Sequence, residues 1–192
     1  MYFLDQPETI DRLKLGDTAL FSEVVGKWQD KVYNTAISIV QNQEDAEDIC
    51  QEVFVQLHES IGTFRGEALL STWLYRVTVN KALDHEKKKK SKKRGGFIRA
   101  IFITEEIDEP VHFEHPGVLA EKKESAKALF YALKKLPESQ RIAFVLHTIE
   151  GNSYDEIAAI TGTTRMAVES LLARAKVNLK KILKTWYEKS NH

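Results

Sequence analysis

Three polar residues, Asp48, Gln51 and Glu52, stand at i, i+3 and i+4. On a helix that spacing sets them on one face, opposite Ile49, Val53 and Phe54, where two carboxylates can meet a cationic surface. A second group starts at Gly62-Thr63-Phe64-Arg65-Gly66 and continues through Arg76 and Asn80. It ends in a run from Lys87 to Arg94, seven cations with only Ser91 among them. A line of cations of this kind suits the phosphates of a nucleic acid. A third group, near the C-terminus, comprises Thr163, Thr164, Arg165, Glu169, Ser170, Arg174 and Lys176. These are hydroxyl, carboxylate and cationic side chains of the kind that reach phosphates and base edges in a major groove.

These groups need helices to hold them. Asp17 is placed to cap a long helix whose apolar residues, Leu20, Phe21, Val24, Val25, Trp28, Val32, Ala36, Ile37 and Val40, recur at helical spacing. Asn42-Gln43 interrupts the pattern. The next helix carries Ala46, Ile49, Cys50, Val53, Phe54 and Leu57 on one side and acids on the other, so the two can pack antiparallel. Ser71 is expected to start a third helix with Trp73, Leu74, Val77 and Leu83 as core candidates. Trp73 could also stack on a base, but its spacing to Leu74 and Val77 favours the core.

Beyond the basic run, Gly95-Gly96, an apolar patch from Phe97 to Ile103 and an acidic stretch through Glu114 read as a linker. Ser125 opens another helical pattern, through Leu129, Phe130, Leu133 and Leu136. Pro137 stops it and begins the next helix at Glu138, which should end at Gly151. Ser153 and Glu156 match a capping box. Gly162 supplies a tight turn, and Thr163 or Thr164 caps a last helix reaching to about Tyr187. No internal repeat is found.

Composition supports this all-α reading. The 192 residues are 43% hydrophobic, with four prolines and nine glycines, and no alternating Val/Thr-rich run competes. The formal net charge is zero, but it is unevenly spread. Residues 1–60 hold four basic against twelve acidic side chains and residues 61–104 eleven against three. Residues 105–124 hold two against seven, and 125–192 eleven against six. Such polarisation suits separate surfaces for cationic and polyanionic partners. The one cysteine, Cys50, excludes an internal disulfide and points to reducing cytosol. Neither a leader nor an apolar run near twenty residues is present, so secretion and membrane association are not expected.

Ala158, Gly162 and Val168 fill the small, turn and anchoring positions of a helix-turn-helix, with Ile157, Ile160, Leu171 and Leu172 completing its core. Here the chain resembles the extracytoplasmic-function group of sigma factors. Leu136-Pro137-Glu138-Ser139-Gln140-Arg141 precedes Ser153-Tyr154-Asp155-Glu156-Ile157-Ala158, and Ala167 to Lys176 looks like that family's region four recognition helix. Asp45 to Phe54 resembles its region two helix, which docks on the clamp of the polymerase's largest subunit, so Asp48, Gln51 and Glu52 are implied as clamp contacts. Thr63 to Val77 resembles the element that reads the downstream promoter box as it opens. The implied DNA contacts there are Phe64, Arg65, Arg76, Asn80, Lys87 and Lys88. Many members carry basic residues where this chain has Glu169 and Leu171, so base preference does not transfer.

A helix-turn-helix regulator acting without polymerase would explain only the second half of the chain. An enzyme would have to be built from His112, Glu114 and His115, with His58, His85, His147 and Cys50 elsewhere, and these lack a metal-site or nucleophile pattern. No catalytic residue, metal site or cofactor is expected. The expected organisation is two small helical domains, 1–91 and 123–192, joined by a flexible linker, 92–122, with the helix-turn-helix in the second. The resemblance implies a cytoplasmic transcription-initiation factor whose partners are core RNA polymerase, through its clamp and flap, promoter DNA and an anti-sigma factor.

Overall fold

The computed structural model describes residues 3–97 and 120–190, with side chains placed for 3–91 and 124–189. Eight α-helices make up nearly all of this, and no strand occurs among the described residues. A 3-10 turn at Phe3–Asp5 leads into α1 (Pro7–Lys14), α2 (Thr18–Val40), α3 (Gln43–Ser60), a 3-10 turn at Ile61–Thr63, and α4 (Leu70–Phe97). The second group is α5 (Ala120–Lys135), α6 (Glu138–Phe144), a π-helical turn at Val145–Ile149, α7 (Tyr154–Thr161) and α8 (Arg165–Ser190).

In the first group α2, α3 and α4 pack as a three-helix core. The Asp17 side chain accepts the Leu20 amide at 2.9 Å and starts α2, one of the orphan donors of a helix N-terminus being thereby satisfied. Leu20, Val24, Trp28, Val32 and Ala36 then fall at four-residue intervals, all buried. Gln41 ends α2 in the left-handed region, φ 53°, and Asn42 caps α3 through the Asp45 amide at 2.9 Å, so the chain reverses within two residues. Ala46, Ile49, Val53 and Leu57 of α3 and Leu70, Leu74 and Val77 of α4 close the core. Trp28 meets Tyr75 edge to face, centroids 5.6 Å apart.

Helix α4 begins one residue before the expected start, and Ser71 does not act as its cap. It lies inside the first turn, where its amide and hydroxyl both donate to the Asp5 carboxylate. The helix runs on through the basic segment and Gly95-Gly96 to Phe97. Residues 98–119, which hold the rest of the apolar patch and His112, Glu114 and His115, lie outside the described residues.

In the second group Pro137 precedes α6, which passes into the π-helical turn and stops before Gly151, φ +76°. Ser153 and Glu156 form the full capping box. Gly162 takes φ +68°, which a Cβ would strain, and Thr164 rather than Thr163 caps α8 through the Ala167 amide at 3.2 Å. Ala132, Leu133, Leu136, Val145, Ala175 and Leu179 form one core cluster. Ile142, Leu146, Ile157, Ile160, Val168 and Leu172 belong instead to an apolar cluster continuous with the first group. The linker is therefore not the sole connection: α7 packs on α4, and the π-helical turn packs on α2.

Candidate protein and nucleic-acid interfaces

On α3 the sequence-predicted face is formed as expected. Asp48, Gln51 and Glu52 are exposed in one stripe, while Ile49, Val53 and Leu57 are buried behind them. Val55 extends the stripe by one turn and is 57% exposed, an apolar centre among polar neighbours that periodicity could have flagged, because it is the one large aliphatic of α3 off the buried face. One flank of the stripe is already paired. Lys81 reaches Glu52 at 2.9 Å and Lys89 reaches Asp45 at 2.7 Å, both from α4, so part of the basic helix is held against the acidic one. These are solvent-facing pairs that partner charges can replace at small cost.

The loop between α3 and α4 encloses a cleft of about 380 Å³ whose lining includes Leu57, Phe64, Arg65, Leu70, Trp73 and Arg76. Its lining is mixed, with Ser60, Thr63 and Glu67 beside the apolar side chains and the cations Arg65 and Arg76. Trp73 packs against the core from a partly exposed position, as its spacing favours, and the part of its ring left exposed lines the cleft. Gly66 turns the loop at φ +72°. The cleft gathers Phe64, Arg65 and Arg76. Asn80, Lys87 and Lys88 are exposed further along α4 and are not among its walls. From Arg76 to Lys87 the helix rises about 16 Å, so the two lysines stand well away from the cleft.

Arg76 has a second engagement. Its guanidinium donates to the carbonyl oxygens of Ala159 and Ile160 at the end of α7, where a helix C-terminus presents unpaired acceptors and partial negative charge. Around it the Tyr75 hydroxyl donates to Glu150, Arg141 pairs with Glu86 at 2.7 Å with both side chains largely buried, and the Gln41 amide donates to the Phe130 carbonyl. None of these contacts across the two halves of the chain was visible in the sequence.

On α8, Arg165, Glu169, Ser170, Ala173, Arg174 and Lys176 are all exposed along the first three turns, and Val168 and Leu172 hold the opposite side in the core. The second helix of the motif is thus free along its outward face, the arrangement that enters a major groove. Arg165 is tethered to Asp155 at 2.8 Å and Arg174 folds back on the Ser170 carbonyl at 3.1 Å. Thr163 is exposed, its hydroxyl 3.1 Å from that of Thr161, and the Thr164 oxygen is occupied as a cap.

Two family models fit these two halves, Sigma-70 region 2 over residues 24–92 and Sigma-70, region 4 over residues 126–179. The ECF RNA polymerase sigma-E factor of Escherichia coli K12 is 30% identical over 87% of this chain and 88% of that one. The chain belongs to the extracytoplasmic-function sigma factors. The RNA polymerase sigma-H factor of Pseudomonas aeruginosa is 28% identical to this sigma factor over 92% of each chain. In fold, the sigma factor resembles CnrH, solved in complex with the cytosolic domain of CnrY, at a TM-score of 0.68 with 22% identity over 92% of this chain and 96% of the other. It also resembles the sigma factor RpoE of Bartonella quintana, solved with the anti-sigma factor NepR, at 0.66 with 24% identity over 85% and 96%.

Of the residues that could support other chemistry, His112, Glu114 and His115 lie outside the described residues. Among the described residues no group of His, Cys, Asp and Glu is placed to hold a metal ion. Cys50 is half-buried and burial pushes its thiol up, which opposes nucleophilic use. No described helix is long and apolar enough to cross a membrane.

Proposed function

We propose that this sigma factor divides initiation among three surfaces. The stripe Asp48, Gln51 and Glu52, extended by Val55 one turn on, docks on the basic clamp of core RNA polymerase. The cleft lined by Phe64, Arg65 and Arg76 takes a base of the downstream promoter box as the duplex opens, and Asn80, Lys87 and Lys88 follow the strand along α4. The outer face of α8, with Thr163, Thr164, Arg165, Glu169, Ser170, Arg174 and Lys176, reads the upstream box in the major groove, and its domain rests on the polymerase flap.

The observation that carries this reading is the pairing, in one domain, of an exposed acidic stripe with a base-sized cleft, beside a helix-turn-helix whose second helix is open. A regulator that only binds duplex DNA has no use for the first two. The chain directs polymerase and performs no catalysis of its own, needs no cofactor, and works in the cytoplasm. Residues 1–91 and 123–192 act as its two domains and 92–122 as the flexible connection. An anti-sigma factor is the partner that holds it inactive, as NepR is bound to the Bartonella sigma factor.

Transcription from a randomised promoter library, with core polymerase alone and with the chain added, tests this. New starts that share two spaced upstream elements are expected. Absence of both new starts and polymerase binding overturns it.

A further inference from the structure

Helix α4 forms one wall of the cleft, yet its own sequence does not cap it. Leu69 occupies the capping position, its carbonyl accepting the Trp73 amide at 3.0 Å, but a leucine side chain offers no acceptor for the exposed amides of the first turn. The acceptor comes from 66 residues away. One oxygen of Asp5 takes the Ser71 amide at 2.8 Å, the other takes the Ser71 hydroxyl at 2.8 Å, and both residues are buried, 5% and 3% exposed. A carboxylate at a helix N-terminus, held by two short hydrogen bonds away from water, is a strong form of this interaction.

Asp5 belongs to a segment that grips both walls. Leu4 beside it is fully buried, and the turn Phe3–Asp5 packs on α4, while α1 packs on the turn Ile61–Thr63 at the other side of the cleft. Leu70, next to Ser71, lines the cleft, with Trp73 and Arg76 following on the same helix. The gripping segment itself, the turn Phe3–Asp5 and α1, lies before residue 24, where the region 2 match begins. We infer that Asp5 is a positioning residue for the downstream box, a distant cap that fixes the first turn of α4 and with it the Leu70, Trp73 and Arg76 wall. The inference rests on the cleft being the base site proposed above.

The experiment uses the full chain with core polymerase and a promoter selected from the randomised library by the unaltered protein. Asp5→Ala is compared with the double variant Asp5→Ala, Leu69→Asp, which gives α4 a local cap in place of the distant one. Three quantities are read: affinity for core polymerase, open-complex formation on duplex promoter, and the ratio of opening on the selected downstream base to that on its three alternatives. Asp5→Ala is expected to leave polymerase affinity unchanged and to lower both opening and the base ratio by about tenfold, the scale of losing a strong cap. Leu69→Asp is expected to restore both. Phe64→Ala and Arg65→Ala run in parallel. If they flatten the base ratio and Asp5→Ala does not, the positioning role is overturned while the cleft reading stands. If none of the three changes the ratio, the cleft reading falls and the inference with it. Polymerase affinity lost in step with opening marks Asp5 as a general fold support and likewise overturns the inference.

Discussion

The Tyr75 hydroxyl donates to the Glu150 carboxyl at 3.1 Å, tying the helix that walls the cleft to the loop that leads into the helix-turn-helix. Burial pushes the Glu150 carboxyl up from 4.5 to about 7, against the opposing pull of Tyr75 and of Lys31 on α2. A carboxyl raised in this way holds a proton in the docked form that it releases when the domains part. Docking is therefore expected to be strongest below about pH 4.5, to weaken by at most tenfold per unit as pH rises toward 7, and to level off above that. Energy transfer between dyes on the two domains should fall over that window, and Glu150→Gln should flatten the dependence.

Charge reversal at the acidic stripe should separate docking from folding. Asp48→Lys with Glu52→Lys is expected to abolish binding to core polymerase with helicity unchanged by circular dichroism. Both residues are exposed, and the surface pair lost with Lys81 is worth under about 1 kcal/mol. Unchanged polymerase affinity would remove the clamp assignment.

The outer face of α8 predicts two kinds of loss. Removing a base-reading side chain, Glu169→Ala or Arg174→Ala, should relax preference at one position of the upstream box by about 1–3 kcal/mol. Removing a phosphate contact, Lys176→Ala, should weaken binding evenly across sequences and reduce the slope of log affinity against log salt by about one. Binding titrations on single-base variants at several salt concentrations distinguish the two.

Gly162 turns the motif at φ +68° with open space where a Cβ would stand. The cost of Gly162→Ala is thus purely one of backbone conformation, about 1 kcal/mol, and should appear as a lower midpoint of urea unfolding with an unchanged slope.

What could be read from the sequence depended on how far apart the interacting residues lie. Asp17 and the Ser153 and Glu156 pair act on backbone three residues away, and each took the place its local pattern gave it, whereas Asn42, read only as an interruption, caps α3. The α3 stripe and the open face of α8 were equally legible, because helical period alone sorts their residues into buried and exposed. Ser71 falls within one residue of the helix start expected of it, but nothing nearby shows that Asp5, far off in sequence, accepts its amide and hydroxyl. Tyr75, Glu150, Glu86, Arg141 and Gln41 carry no local signal of their cross-domain partners, since those depend on how two helical groups meet. Trp73 joins the core as its spacing favours, but that spacing could not show how much of the ring would stay exposed at the cleft.

Helix α4 is one uninterrupted rod, with the cleft wall in its first two turns and Lys87 and Lys88 about 26 Å along it from Leu70. A tilt of about 5° at the end pinned by Asp5 would swing those lysines by about 2 Å, close to the difference between touching a phosphate and missing it. Alignment at the base of the rod is thereby converted into reach at its tip, so a fault at a single buried hydrogen bond would be felt along the whole length of the strand proposed to follow the helix.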